Sequence, residues 1–548
     1  MRVRSTRLRA VDWLRTARPA PLLAVLALLE LAVVLWLALR TQHNGWLWYS
    51  GGDATEYWTS QWAVAHGLIP QAVIGWGLPI FYGWVPLLAG PSLLVGVPVI
   101  VLFHALALVP LALVLVWAIA DRLYGRLYAW SVALVWALAP LLAVWALGPG
   151  YGSRFESQVL APHWAGLTDM GDFPSLVAIL ATAWATIRAV QNGRFSSALG
   201  AGVLGGIALG IKPSNGYFVP AVAVLLVAWH RQRGAVGWAL GVAPGVLTLL
   251  VWKRRGLGTI PVLSAYAPKR EASGTVLGLS TDRYLPLDWH HLSFIWGQLR
   301  EVVWDLRLLQ FLLVAAALGA VRRNPRAGLF LITWFVVYCV LKGSSAQADV
   351  ETTSYFRLTL PGLAAFVLLI PAIGFLWPGV RREPLPRAPR ESQTLPRRSP
   401  LTFVAAAAAL LPLVVVLASE PAPFTQPRLA RYFPSLTSAP ISPALRTRVR
   451  MSNGVVKLSW QPARRLGSTA VVYGILRTTG NDGCTYPTEG AGQCILTEPI
   501  MRWTPNARLN DHPGRGHFFY RVAAVADFRA SPDATDVMLL GPAVSVRL

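Results

Sequence analysis

The sequence predicts a polytopic α-helical membrane protein with about eleven transmembrane helices, N-terminus inside and C-terminus outside, followed by a small all-β sandwich domain. Three observations carry this. Of the 548 residues, 54% are hydrophobic and only 14% are charged, whereas a soluble domain is usually about a quarter charged. The apolar residues gather in blocks of roughly 17–25 with almost no charge inside, the length that spans the hydrocarbon as a helix. After residue 420 the blocks give way to short alternating runs between turn residues. Such continuous apolar runs exclude a transmembrane β-barrel, whose strands alternate.

The net charge of +24 would suggest nucleic acid in a soluble protein. Here the basic residues sit in short segments between apolar blocks, as the positive-inside rule requires, so the expected partner is the lipid bilayer and not nucleic acid. Nearly all the cations are Arg; lysine occurs only at Lys212, Lys253, Lys269, Lys342 and Lys457. Cys339 lies in an apolar block. Cys484 and Cys494 would pair as a disulfide if the C-terminal domain faces an oxidising compartment. No CxxC or Cys/His spacing of a metal site occurs.

Arg2, Arg4, Arg7, Arg9, Arg15 and Arg18 against Asp12 anchor the N-terminus inside. The first span, 21–39, is too long for a signal-peptide core and reads as an uncleaved anchor. A first outer loop, 40–95, is rich in Trp and Tyr and suits re-entrant or surface-lying helices. Spans follow at 97–120, 127–146 and 173–191. The fifth and sixth, 197–211 and 215–229, are short and separated by Lys212-Pro213-Ser214-Asn215-Gly216, a break tolerated at membrane depth only where protein or a cavity receives it. The remaining spans are 235–252, 306–321, 327–341, 358–377 and 401–418. Lys253-Arg254-Arg255 falls on the outer side and conflicts with the charge rule. The expected division is a membrane domain 1–420, a linker 421–440 and an extracytoplasmic β-domain 441–548, in a multi-pass protein of the plasma membrane.

Five places along the chain carry chemistry. Asp53, followed by Glu56 and Tyr57 and then His66, begins just beyond the first span. A carboxylate beside an aromatic interfacial helix can act as a general base, or Asp53 and Glu56 form a capping-box-like start of a helix. Asp169 and Asp172 precede the fourth span, where Asp172 either lines a shared site or caps the helix. Lys212 at the broken span faces a cavity or a partner and can bind phosphate as a point charge, or it snorkels to the interface. Tyr355 and Arg357 open the tenth span; Arg357 can hold a phosphate bidentately or serve as an interfacial anchor. Glu30, in the middle of the first span, is a candidate by position alone.

The order of these motifs resembles the GT-C superfamily of integral membrane glycosyltransferases, especially the protein mannosyltransferase and aminoarabinose transferase branch. It rests on Asp53, Tyr57, Gly67, Pro70 and Pro86 in the first outer loop and on Asp172 at the fourth span. It continues in the Gly-rich run Gly205-Gly206-Ile207-Ala208-Leu209-Gly210-Ile211-Lys212-Pro213 and in Phe356-Arg357-Leu358-Thr359-Leu360-Pro361. Two departures are Ala54 where relatives carry a second acid and Tyr-Phe-Arg where Arg-Tyr is common. The resemblance implies transfer of a sugar from a polyprenyl-phosphate donor to a glycan, lipid or protein acceptor, with inversion. Asp53 would be the base, and Lys212 and Arg357 would stabilise the leaving phosphate. Asp172 and Glu56 would position the acceptor or hold a divalent cation; no other cofactor is implied.

The C-terminal runs Val455 to Trp460, Ala470 to Leu476, Phe518 to Val525 and Ala543 to Leu548 resemble a fibronectin type III domain, with Phe518 at the place of its corner tyrosine. Two other functions fit part of the pattern. A transporter or flippase of a lipid-linked sugar explains the broken helix and Glu30 but expects polar groups near the midplane. A scaffold presenting the β-domain explains the tail and leaves the ordered acids and cations unused.

Overall fold

The protein's computed structural model describes residues 13–40, 52–70, 72, 74–89, 93–151, 166–228, 232–257, 260, 287–303, 308–345, 348–350, 354–380, 382, 400–421, 441–442, 445–465, 470–479, 484–485, 495–496, 502–527, 538–541 and 543–548. The helices are α1 (Pro19–Arg40), α2 (Gly52–Ala65), α3 (Gly77–Tyr82), α4 (Trp84–Ala89), α5 (Leu93–Phe103), α6 (Val109–Tyr124), α7 (Arg126–Tyr151) and α8 (Asp172–Asn192). They continue as α9 (Phe195–Ile211), α10 (Val219–Ala228), α11 (Gln232–Leu257), α12 (Trp289–Val303), α13 (Leu308–Arg323), α14 (Pro325–Gly343), α15 (Ser354–Leu369) and α16 (Pro400–Ala418). A helix lies over each expected span, and among the described residues six are long and apolar enough to cross a membrane, including Asp172–Asn192, Pro325–Gly343 and Ser354–Leu376. The protein is thus mostly helical up to residue 418, and antiparallel sheets follow.

The helix boundaries follow local chemistry. Lys212 is extended (φ −142°, ψ 112°), as the residue before a proline prefers, and this stops α9. The chain then makes a 3₁₀ turn over Pro213–Phe218, so α10 starts at Val219 rather than near 215. Asn324 caps α14, its side chain accepting from the backbone N–H groups of Arg326 and Ala327, and Pro325 fills the first turn. Between α5 and α6 the helix widens into a π-turn at His104–Leu108.

Contacts divide the chain into two units. The first comprises Met1–His43, Val101–Leu250 and Ile260–Val414. Its core runs through Val116, Trp136, Leu180, Phe218, Phe330 and Leu368. Here α8 packs on α9, α6 on α7 and α14 on α15. The glycines of α9 and α11 allow backbone contact: a Cβ on Gly202 would stand 2.1 Å from the Trp238 carbonyl oxygen, and one on Gly245 would stand 2.5 Å from Gly206 backbone. Two small-residue pairs four residues apart therefore face each other, the arrangement that lets membrane helices approach closely. Glu30 is buried in this unit at 4% exposure, where Trp136 Nε1 donates to its Oε1 at 3.1 Å.

The second unit comprises Asn44–Ile100, Val251–Thr259 and Val415–Leu548. The Trp58 ring is fully buried against Gly96, where a Cβ would meet it at 1.9 Å. Strand β1 (Leu68–Ile69) pairs in parallel with β2 (Glu420–Pro421). The basic run that conflicts with the charge rule is engaged here. Lys253 Nζ donates to the carbonyls of Ala72 (2.6 Å) and Ile74 (3.3 Å), and Arg255 donates to Val416 (2.8 Å) and Leu417 (2.7 Å).

The two larger C-terminal sheets are β3 (Arg448–Ser452), β4 (Val455–Ser459) and β7 (Arg508–Asp511) in one, with β5 (Ala470–Thr478), β6 (Arg502–Thr504), β8 (His517–Asp527), β9 (Met538–Leu540) and β10 (Val544–Arg547) in the other. Val456 and Leu458 from the first sheet share a core with Ile475, Tyr520, Val522 and Val546 from the second, which makes a sandwich. The hydroxyl that bonds back along the chain belongs to Tyr520, which donates to Asp511 Oδ2 at 2.7 Å; Phe518, two residues earlier, packs in the core. The side chain of Cys484 and all of Cys494 lie outside the described residues, and so does their pairing.

Candidate functional site

Acids and cations converge in the first unit. Gly171 takes the N-cap of α8, so Asp172 is the first helical residue. Its carboxylate, 2% exposed, is ion-paired with Lys212 Nζ and stands 3.9 Å from Arg357 Nε. The helix dipole favours an anion at that place. Asp172 is therefore held by two cations, one from the end of α9 and one from the first turn of α15.

A second rung runs beside the first. Ser175 lies three residues after Asp172 and Asn215 three after Lys212. Ser175 Oγ donates to Asn215 Oδ1 at 2.9 Å, Tyr338 OH donates to the same oxygen at 3.1 Å, and Asn215 Nδ2 donates to the Ala208 carbonyl at 2.7 Å. The turn after Pro213 is thus fixed to both α8 and α14. Tyr217 in that turn meets Tyr338 edge-on at 5.9 Å, and Lys342 Nζ lies 5.7 Å from the centre of the Tyr217 ring. Asp172 and Ser354 begin their helices, whereas Ile211 and Gly343 end theirs. Asp172, Lys212, Lys342 and Arg357 are consequently gathered at helix ends.

Asp169 is fully buried, in the stretch before α8. That stretch is braced by His104 in the π-turn, whose Nδ1 lies 3.2 Å from the Gly166 carbonyl oxygen; single π-turns of this kind are frequent at functional sites. Tyr355 is buried with Ile295, Ala348, Val350 and Phe356 and shares a hydrogen bond with the Cys339 thiol. It packs the first turn of α15 instead of joining the Asp172 cluster.

The remaining sequence candidates are in the second unit. Helix α2 starts at Gly52, which puts Asp53 and Glu56 in its first turns; their side chains lie outside the described residues. Tyr57 is partly buried. His66 closes the helix, with its Nδ1 2.8 Å from the Trp62 carbonyl oxygen and its ring stacked at 4.0 Å on Trp62. Among the described residues no group of three or more His, Cys, Asp or Glu gathers as a metal site would.

Sequence reasoning did not single out Ser175, Asn215, Tyr338, Lys342 or His104 as site residues. Lys342 had a signal, as a lysine in an Arg-dominated chain and at the end of an apolar block. Ser175 and Asn215 had the three-residue spacing from Asp172 and Lys212, which has meaning only once the two segments are known to be neighbours.

A membrane-embedded bundle with paired acids and cations at helix ends is the class that fold and site define. Residues 159–252 match the family model of dolichyl-phosphate-mannose-protein mannosyltransferases. The resemblance to the GT-C type of membrane glycosyltransferase, drawn from motif order, thus stands on the stretch that holds Asp169, Asp172, Ser175, Lys212 and Asn215. Among solved structures, the apo oligosaccharyltransferase of Archaeoglobus fulgidus aligns with 12% identity and a TM-score of 0.37, over 75% of this chain and 57% of its own; a likeness that slight carries no weight. No curated protein matches the chain in sequence.

Proposed function

We propose that the protein transfers a sugar from a polyprenyl-phosphate-linked donor to an acceptor hydroxyl, on the membrane face that bears the Asp172 cluster. The observation that carries this reading is the convergence of Lys212 and Arg357 on one carboxylate at the helix ends. Those two cations are already desolvated in part and held in place, so a phosphate arriving there meets preorganised charge. A transporter site would instead be expected near the midplane.

In the reaction the acceptor oxygen forms a bond to the anomeric carbon as the bond from that carbon to the phosphate oxygen breaks. The electron pair leaves on the phosphate, and Lys212 and Arg357 stabilise the growing negative charge. The acceptor proton passes to the carboxylate of Asp53. Direct displacement with one base inverts the anomeric centre. Asp172 orients both cations before the donor arrives, and with Glu56 it positions the acceptor. The β-sandwich, which we take as fibronectin type III-like and extracytoplasmic, binds acceptor.

The test is sugar transfer from a radiolabelled polyprenyl-phosphate sugar pool by purified protein in nanodiscs. Loss of a single preorganised contact to developing charge costs about a hundredfold or more in kcat. Wild type is expected to label an acceptor, with Lys212→Gln, Arg357→Gln and Asp53→Asn each at least that much slower. Transfer at the wild-type rate by Asp53→Asn removes the base, and by both cation variants removes the site.

A further inference from the structure

Helix α12 (Trp289–Val303) takes no part in the cluster, yet it is tied to the segment that delivers Arg357. Its inner face buries Ile295 and Gln298. Leu292 lies on the last residue of α14: a Cβ on Gly343 would stand 3.1 Å from Leu292 Cδ1 and 3.3 Å from Tyr355 Cε2. Three hydrogen bonds hold the chain that leads into α15. The His291 ring Nε2 stands 2.9 Å from the Ala348 carbonyl oxygen, Gln298 Nε2 donates to Asp349 Oδ1 at 2.8 Å, and the Val350 N–H donates to Gln298 Oε1 at 3.1 Å. Asp349 continues the chain of bonds, since its carbonyl accepts from the backbone N–H of Tyr355 at 3.0 Å and its N–H donates to Ser354 Oγ at 2.9 Å. Arg357 follows within the same first turn.

The outer face has a different character. Trp289, Ser293, Trp296 and Arg300 recur at spacings of four, three and four residues, so they form one stripe. Trp289 is 66% and Trp296 56% exposed. Besides α7, α12 packs on two apolar spans that change to loop here: α14 stops at Gly343 and α15 starts at Ser354. A helix seated at that level continues the lipid-facing surface of the spans, and outward Trp with Arg is the composition that settles among lipid headgroups.

We propose that α12 lies on the lipid surface at the membrane face of the Asp172 cluster and that Gln298, from that anchorage, is a positioning residue for Arg357. The occupant of the Trp289–Trp296 stripe is the headgroup region of the bilayer itself. Bilayer depth and the placement of Arg357 are then linked through one glutamine and the loop it grips.

The test uses the full chain in phosphatidylcholine nanodiscs with two readouts, neither of which involves sugar transfer, so its outcome is separate from the proposed activity. Trp296→Cys carries an environment-sensitive fluorophore, with the unsubstituted protein labelled in parallel as background. Quenching by headgroup-proximal nitroxide lipid and resistance to aqueous iodide are expected. Quenching by iodide alone, or by neither, overturns the lipid assignment, the latter because it means a protein covers the stripe. Hydrogen exchange then follows residues 348–358. Gln298→Ala is expected to speed exchange there about tenfold, the effect of losing one to two hydrogen bonds, with α6 and α8 unchanged. Gln298→Glu alone should do the same, because it sets a carboxylate against Asp349. Gln298→Glu combined with Asp349→Asn restores a donor–acceptor pair and should restore slow exchange. Unchanged exchange in Gln298→Ala, or no rescue by the paired exchange, refutes the positioning role.

Discussion

The Asp172 ion cluster makes a stability prediction whose sign depends on which partner is removed. Lys212→Met takes the contact ion pair from the carboxylate of Asp172, 2% exposed, and leaves Arg357 Nε at 3.9 Å. At that distance an effective dielectric of 20 gives about 4 kcal/mol of attraction before desolvation is counted, too little to replace a contact partner. Breaking a buried pair in this way costs roughly 3–5 kcal/mol. Asp172→Asn is the milder change, because the side chains of Lys212 and Arg357 are 17% and 25% exposed and can turn to water; about 1–2 kcal/mol is expected. The double variant removes the stranded charge, so it should be more stable than Lys212→Met alone, with a coupling of about 2 kcal/mol or more. The assay is denaturant unfolding in mixed micelles, followed by tryptophan fluorescence and analysed as a double-mutant cycle. Additive losses, or a Lys212→Met loss under about 1 kcal/mol, would show that the pair behaves as a surface salt bridge and refute the reasoning.

Gly245→Ala should destabilise the α9–α11 contact by about 1–3 kcal/mol, because its Cβ falls 2.5 Å from Gly206 backbone; Gly200→Ala, which has open space, is the control in the same unfolding assay. Glu30→Gln keeps an acceptor for Trp136 Nε1 and should express and unfold like wild type, whereas Glu30→Leu removes the Oε1 acceptor that this N–H uses and should lose about 1–3 kcal/mol. Asp288 accepts from the backbone N–H groups of His290 (2.9 Å) and His291 (3.1 Å) at the start of α12. Those bonds, first the one from His291, hold its carboxyl below the ordinary 3.8. A depressed carboxyl stabilises the fold above its unfolded value and loses that contribution as pH falls through the folded one. Exchange at His290 and His291 should thus quicken only below about pH 4 in wild type and at every pH in Asp288→Ala.

The bundle was legible because span length and charge-free apolar runs are properties of the chain alone. The break at Lys212-Pro213 was legible too, since the residue before a proline is biased away from the helical region and Ser214, Asn215 and Gly216 follow it. The four alternating runs after residue 420 all became strands, while β3, β6, β7 and β9, which are shorter or less regular, went unseen. What sequence could not supply was adjacency. Ser175 and Asn215 look like ordinary polar residues until α8 and the turn after α9 are set side by side. Tyr355 shows the reverse: its place near Arg357 made it a candidate, but the two-residue step from one to the other amounts to about 200° of helical rotation, which turns it into the Ile295–Val350 packing.

Lysine is scarce in this chain, and its three described buried or half-buried instances at helix ends have divergent fates that charge counting could not foresee. Lys253 donates to the carbonyl groups of residues 72 and 74. Carbonyls satisfy an ammonium without neutralising it, so the cation serves as a staple and the positive-inside rule, which concerns cations free to face water, does not govern it. Lys212 meets a carboxylate and is neutralised locally. Lys342 lies against an aromatic face, which attracts a cation without cancelling its charge. Only the last two are close to the Asn215–Tyr338 network, and they differ in the group seen against the ammonium, a carboxylate in one case and an aromatic face in the other. At Lys212 an incoming anion competes with Asp172, so binding there is an exchange of one anion for another; at Lys342 it meets a cation already seated against the Tyr217 ring. A donor phosphate should therefore respond differently to the two substitutions: Lys342→Met should raise KM with little change in kcat, and Lys212→Met should lower kcat. Equal effects on both constants would mean that the two lysines do not divide binding from chemistry in this way.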